Sequence, residues 1–406
     1  MTLADTSALS PDVVEDPYEH YARLLEESPV HWDAHLEAFL VTRYDDLLSV
    51  LRDPQTFSSA IGAMTKPPPE AAIAILATGL PPANTLITAD PPMHGRYRSL
   101  VAKAFTPRRV EKIREHVNNV AHELIDEFDA SGEVELIEKF AAPLPLIIIA
   151  EQLGVPRSRI GDFKKWSDAF LDLIGGLASE ERSIECAHEI LECQEFFTGR
   201  IAEYRSDPPD DMLGVLIRAK LDGERPLDDA EMASILQQFM LAGNETSTAA
   251  IAATQRFLIE QPEVLAEVRE DRSLVPGIIE EGIRLESPVQ NIFRVSTCDT
   301  EIAGVPIPAF SKVGIMFGAA NRDPRVFPEP DRMNPRRPNV REHVAFGHGG
   351  HYCIGAGLAR LEGCVALEAL LDRFQEVRFA PGRNDFKHNS MFIARGLKKL
   401  YLEFRA

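Results

Sequence analysis

The stretch Phe346-Gly347-His348-Gly349-Gly350-His351-Tyr352-Cys353-Ile354-Gly355 decides how this chain is read. Four glycines surround one thiol, and an apolar stripe at Leu358, Leu361 and Val365 marks a helix beginning just past it. Glycines permit tight turns and the close approach of backbone to a flat ligand. A helix N-terminus aimed at the sulfur favours thiolate over thiol, through its dipole and its free N–H groups. A thiolate held this way is a ready ligand for haem iron. Two plainer readings use the same residues. Cys353 could be a buried structural thiol, since free cysteine behaves as a small hydrophobe. A zinc site from His343, His348, His351 and Cys353 is conceivable, although the spacing lacks the usual pair of closely spaced cysteines. A dinucleotide loop is excluded: Gly355-Ala356-Gly357 follows no strand, and Arg360 stands where the third glycine is needed.

Two segments upstream carry further chemistry. Glu281-Gly282-Ile283-Arg284 sets a carboxylate and a guanidinium three apart, on one helix face. A solvated surface pair is one reading, but Ile278, Ile279, Ile283 and Leu285 point to a partly buried one, which needs further hydrogen-bond partners. Ala242-Gly243-Asn244-Glu245-Thr246 lies in a helix that runs from about Asp228 to Gln261 and stops at Pro262. That helix is apolar almost all round at Ile235, Leu236, Phe239, Met240 and Leu241, so it is expected to pass through the interior. Small residues there make room for a bulky neighbour. The acid beside a hydroxyl could pass protons to a reacting centre, or Thr246 could simply bond back to its own helix.

The rest of the chain reads as one mostly helical domain, residues 1–406, with a minor β part. A stripe at Val110, Ile113, Val117, Val120, Leu124 and Phe128 predicts a helix over 108–129. A further helix is expected from Leu274 to Leu285. Strand signals are confined to 39–41, 294–297, 300–302, 305–307 and 313–316, the later ones as small hairpins punctuated by Gly304 and Pro308. Segments 60–83 and 162–205 give no clear pattern. Lys and Arg number 43 against 63 Asp and Glu, a formal charge of −20, which excludes a nucleic-acid partner and disfavours an anionic membrane surface. The N-terminal segment has no basic start and no apolar run, no stretch is long enough to span a membrane, and five cysteines show no disulfide spacing. A cytoplasmic monomer is expected.

The three motifs, in this order, resemble one family, the cytochrome P450 haem-thiolate monooxygenases of the soluble bacterial type. The family's F-x-x-G-x-x-x-C-x-G loop is matched at Phe346, Gly349, Cys353 and Gly355. Its E-x-x-R is matched at Glu281 and Arg284, and its [AG]-G-x-[DE]-T from Ala242 to Thr246. Asp90-Pro91-Pro92-Met93-His94 and Asn321-Arg322-Asp323-Pro324 are similar as well, so the likeness covers essentially the whole chain. The resemblance implies a mainly α, single-domain fold with haem b buried between the long interior helix and the cysteine loop. It implies Cys353 as the iron ligand, with Phe346, Gly349, Gly355, Ala242 and Gly243 shaping the cofactor's surroundings. His94, Arg98, Arg294 and His351 would hold the haem carboxylates. Glu281 and Arg284 would lock the core with a second arginine, for which Arg332 fits and Arg337 is the rival. Thr246 and Glu245, an acid where related proteins carry Asp, would deliver protons during oxygen activation.

The implied reaction is hydroxylation of a small or medium apolar molecule by O2. A peroxygenase, an isomerase or a non-catalytic haem sensor is the alternative. No flavin or iron–sulfur motif is present, so electrons are expected from a ferredoxin and its NAD(P)H-dependent reductase. Arg108, Arg109, Lys112, Arg114 and Arg341 could face an acidic partner, or could be an ordinary solvated helix face. The substrate lining implied by the resemblance is apolar: Leu86, Ile87, Leu241, Val289, Ile292 and Phe293, with Leu80, Leu171, Ile174 and Phe239 nearby in the motif order.

Overall fold

The computed structural model describes residue 3 and residues 6–60, 67–128, 132–175, 178–389 and 391–405. They form two compact units. The first gathers the chain up to Ser58, Val110–Leu144 and the chain from Glu245 onward; the second gathers Ser59–Arg109 and Pro145–Asn244.

Every strand among the described residues lies in the first unit. These are β1 (Val30–Asp33), β2 (Ala38–Val41), β3 (Phe57–Ser58), β4 (Glu133–Glu135), β5 (Asn291–Ser296), β6 (Thr300–Ile302), β7 (Val305–Ile307), β8 (Lys312–Met316), β9 (Glu376–Phe379) and β10 (Tyr401–Arg405). They build a five-stranded sheet in the order β1-β2-β8-β5-β3, a three-stranded sheet in the order β4-β10-β9, and the hairpin β6-β7. Of the expected hairpins only β6-β7 forms alone; β5 and β8 pair with each other instead, Arg294 opposite Val313. β2 joins β8 in parallel, Phe39 beside Val313. Behind this sheet Val41, Leu47, Leu51, Phe57, Ile315 and Phe317 form one core cluster.

A second cluster joins the helix Val275–Glu286 to the helix Ala356–Arg373 through Ile278, Ile279, Leu367 and Leu371. The two helices meet closely because Gly363 has no side chain: a Cβ there would sit 2.9 Å from Ile279 Cγ2.

The interior helix spans Asp229–Glu260 and ends where Pro262 begins the next helix, as its sequence predicts. The expected helix 108–129 is instead two, Pro107–Lys112 and Arg114–Asp126, broken at Ile113. Most of the described part of segment 162–205, unreadable by periodicity, lies in the helices Ile160–Gly175 and Glu180–Tyr204. The second of these starts at Ser179, whose hydroxyl accepts from the Arg182 N–H at 3.2 Å. Part of segment 60–83 falls outside the described residues; the rest contains the helix Glu70–Leu76. No helix among the described residues is long and apolar enough to cross a membrane.

Candidate functional site

The cysteine loop is closed by its own backbone. The Cys353 N–H donates to the Phe346 carbonyl at 2.8 Å, and the Tyr352 N–H to that of Gly349 at 3.1 Å. Gly347 and Gly349 both take φ of +70°, a conformation side chains disfavour. At Gly349 a Cβ would also come 3.0 Å from the Leu51 carbonyl oxygen. The helix Ala356–Arg373 begins three residues past Cys353, so the thiol stands at its N-terminal end. Cys353 is exposed, and even a Cβ added at Gly355 would stay 3.9 Å from its sulfur. Cys186 and Cys193 are buried, and burial pushes both thiols up, Cys186 to about 11. The structural-thiol reading therefore describes those two and not Cys353. The zinc reading fails as well. His343 is turned to Glu280 and His348 to Arg52, and no cluster able to hold a metal occurs among the described residues.

Glu281 and Arg284 are wholly buried and joined twice, Nε to Oε1 at 2.6 Å and Nη2 to Oε2 at 3.0 Å. The extra partners that a buried pair requires are present. Arg284 donates to the carbonyls of Asn321 at 2.9 Å and Pro330 at 2.7 Å, and the Asn334 N–H reaches Glu281 Oε2 at 2.8 Å. The second arginine is Arg337, whose Nε lies 3.0 Å from Glu281 Oε1. The expectation for Arg332 is corrected. Its side chain is 59% exposed, and only its carbonyl enters, accepting from Arg284 at 3.3 Å and Arg337 at 3.2 Å.

Glu280, just before that pair, has separate partners. His343 Nε2 lies 2.9 Å from Oε2, and Arg360 Nε donates to Oε1 at 2.7 Å. Burial works to raise the Glu280 carboxyl, but the His343 and Arg360 hydrogen bonds outweigh it and hold it at about 2.

On the interior helix, Gly243 is needed for packing: a Cβ would come 3.0 Å from Ile149 Cγ1. Ala242 is exposed although the helix around it is largely buried; Glu245 and Thr246 are half-buried. The next residue, Ser247, donates to Glu362 Oε2 at 2.7 Å. Glu362 was not singled out by sequence, although an acid beside Leu361 in an apolar stripe is the available signal. It is 1% exposed; burial pushes its carboxyl up to about 8, with the Ser247 hydrogen bond opposing.

The remaining candidates divide between the units. His94, buried, and Arg98 stand one turn apart on the helix Met93–Val101 in the second unit, with Leu86 buried, Ile87 exposed and Leu241 half-buried. In the first unit His351 is half-buried, and Arg294 is buried on β5 with Nη1 3.0 Å from the Phe293 carbonyl. Strand alternation puts Ile292 on the face of Arg294 and Phe293 on the other, where its ring meets Phe392 at 6.2 Å. Val289 is bridged to Ala394.

Residues 162–401 match the family model described as Cytochrome P450. The chain belongs to the cytochrome P450 family. It is 37% identical over 401 residues to cytochrome P450 107B1 of Saccharopolyspora erythraea, covering 98% of this chain and 97% of that one. It is 36% identical to 6-deoxyerythronolide B hydroxylase of the same organism, over 95% of each. Among solved structures it superposes on cytochrome P450 CYP109Q5 from Chondromyces apiculatus with a TM-score of 0.88 and 35% identity, over 100% and 99% of the two chains. This P450 is thus a monooxygenase, an oxidoreductase of mainly α fold with a minor β part. Its family carries a haem ligated by a cysteine thiolate.

Proposed function

We propose that this P450 inserts one oxygen atom from O2 into a small or medium apolar molecule, acting as one domain in which the Cys353 thiolate would hold haem b. The observation that carries this is the Cys353 loop: an exposed thiol at a helix N-terminus, on a backbone whose positive φ at Gly347 and Gly349 favours glycine. The donor set fits the group, since an exposed sulfur and a neighbouring positive dipole end suit an anionic ligand. When bound, haem supplies the O2 chemistry, and a thiolate ligand favours O–O cleavage. Phe346, Gly349, Gly355, Ala242 and Gly243 would shape its surroundings, and His94, Arg98, Arg294 and His351 would supply donors for its carboxylates.

Thr246 and Glu245 hold and pass protons from the interior helix. Glu362, bonded to the adjacent Ser247, keeps its own proton at neutral pH because its carboxyl is raised to about 8. Glu281, Arg284 and Arg337 fix the helix Val275–Glu286 to the backbone of residues 321–334. The electron source is a separate ferredoxin with its NAD(P)H-dependent reductase, in the cytoplasm. Arg108, Lys112 and Arg341 are exposed and suited to an acidic partner; Arg109 and Arg114 pair with Asp210 and Glu111, and Arg341 Nε stands 3.7 Å from Glu280 Oε1. A relative that hydroxylates 6-deoxyerythronolide B supports a carbon-rich natural product as substrate, set against Leu86, Ile87, Leu241, Val289, Ile292 and Phe293.

The deciding experiment is Cys353→Ser. The reduced parent with carbon monoxide is expected to show the red-shifted thiolate band, and the variant to lose it. A variant that keeps the band defeats the assignment.

A further inference from the structure

Glu280 takes no part in the Glu281–Arg284 pair beside it, yet it is just as carefully held. Its carboxylate is 3% exposed and receives the Arg360 guanidinium as a fork, Nε at 2.7 Å and Nη2 at 3.2 Å. His343 steadies the other side. The Ala345 N–H donates to His343 Nδ1 at 3.3 Å, so the ring proton sits on Nε2 and points at Glu280, 2.9 Å away. Arg360 is left with one orientation.

That orientation aims the guanidinium at the cysteine loop twice. Nη1 donates to the Tyr352 hydroxyl at 3.1 Å, and Cζ lies 4.6 Å from the centre of the Phe346 ring. Tyr352 is the neighbour of Cys353, and the Phe346 carbonyl accepts the Cys353 N–H. One guanidinium therefore grips both residues that set where the sulfur stands. A planar fork is required for this, because an ammonium cannot pair bidentately and stack at once.

We infer that Glu280 is a positioning residue for the Cys353 thiolate, acting through Arg360. The inference rests on the reading of Cys353 as the haem ligand. Partners outside a ligand's own bonds orient it, and their loss loosens the ligand without removing it.

The test follows the reduced carbon monoxide complex of the holoenzyme as its red-shifted band converts to the unshifted form of a lost thiolate. Glu280→Gln and Arg360→Lys are expected to convert on the order of tenfold faster than the parent, the effect of one charge-assisted hydrogen bond. The double variant is expected to be no faster than the faster single one, since both break one chain of contacts. Leu402→Ala, a core truncation on β10, serves as the control: it is expected to lower the melting temperature and keep the parent's conversion rate. Glu280→Gln that melts lower but converts like the parent overturns the inference, as does Leu402→Ala converting equally fast. If Glu280→Gln yields no loaded protein, Arg360→Lys and Tyr352→Phe decide, and parent-like rates in both overturn it. Cys353→Ser in the same assay separates the two claims: a retained red-shifted band there defeats the ligand reading itself, whatever Glu280 does.

Discussion

The Ser247 hydroxyl donates a 2.7 Å hydrogen bond to Glu362, joining the interior helix to the helix that follows the cysteine loop. The Glu362 carboxyl is raised from an ordinary 4.5 to about 8, chiefly by burial. Between those two values the folded chain keeps this proton while the unfolded chain has released it. Stability therefore falls as pH rises through that window, by up to about 1.4 kcal/mol per pH unit from this group. Glu362→Gln has no proton to lose. Its melting temperature, compared with the parent's across the window, is expected to decline less steeply; parallel profiles would show that Glu362 titrates normally.

Arg284→Ala removes both of that residue's bonds to the buried Glu281 carboxylate, at an expected cost of about 3–5 kcal/mol. Arg337→Ala leaves Glu281 paired with Arg284 and is expected to cost less, about 1.5–3 kcal/mol. Arg332→Ala is expected to stay within about 0.5 kcal/mol, because its carbonyl remains and its side chain is solvated. Denaturant titration with haem content measured alongside distinguishes these. Equal losses at Arg332 and Arg337 would reverse their assignment.

Two glycines in helices should respond oppositely to alanine. At Gly277 a Cβ would stand 2.2 Å from the Pro335 carbonyl oxygen, which is backbone and cannot swing away. Gly277→Ala is expected to destabilise by about 1–3 kcal/mol despite better helix propensity. Gly199, inside the helix Glu180–Tyr204, has nothing within 4 Å of such a Cβ. Gly199→Ala is expected to stabilise by roughly 0.5–1 kcal/mol. Thermal unfolding of both variants checks the signs.

Thr246→Ala is expected to separate oxygen consumption from product formation. It removes a hydroxyl beside Glu245 without adding bulk, so substrate affinity should change little. More of the consumed NAD(P)H should appear as hydrogen peroxide. Product and peroxide per reducing equivalent, with one ferredoxin and substrate for both proteins, give the answer. Unchanged coupling would leave Thr246 as an ordinary helix residue.

Helices were legible where an apolar stripe recurs, as in Arg114–Asp126, or where a long apolar run ends at a proline, as in Asp229–Glu260 before Pro262. Strands β3, β4, β9 and β10 were not, since each is short and held by partners distant in sequence, and β1, four residues long, was missed as well. The buried Glu281–Arg284 pair could be read from its apolar neighbours. The choice of Arg337 over Arg332 could not, because it depends on which way a turn points a carbonyl. Glu362 and Glu280 were passed over for a related reason: an acid in a helix gains its character from what packs over it, and the one signal, Glu362 beside Leu361 in an apolar stripe, is weak.

The strand Tyr401–Arg405 lies between β4 and β9, with Tyr401 opposite Glu135 and Arg405 opposite Glu376. During synthesis Glu133–Glu135 leaves the ribosome early, yet its partner does not exist until nearly all the intervening chain has followed. β2 waits similarly for β8. Nascent chains thus carry unpaired edges for most of their elongation, which makes them dependent on protection from aggregation. A stop codon at position 401 would leave β4 and β9 without their shared partner. It would act on the yield of folded protein long before any question of catalysis arose.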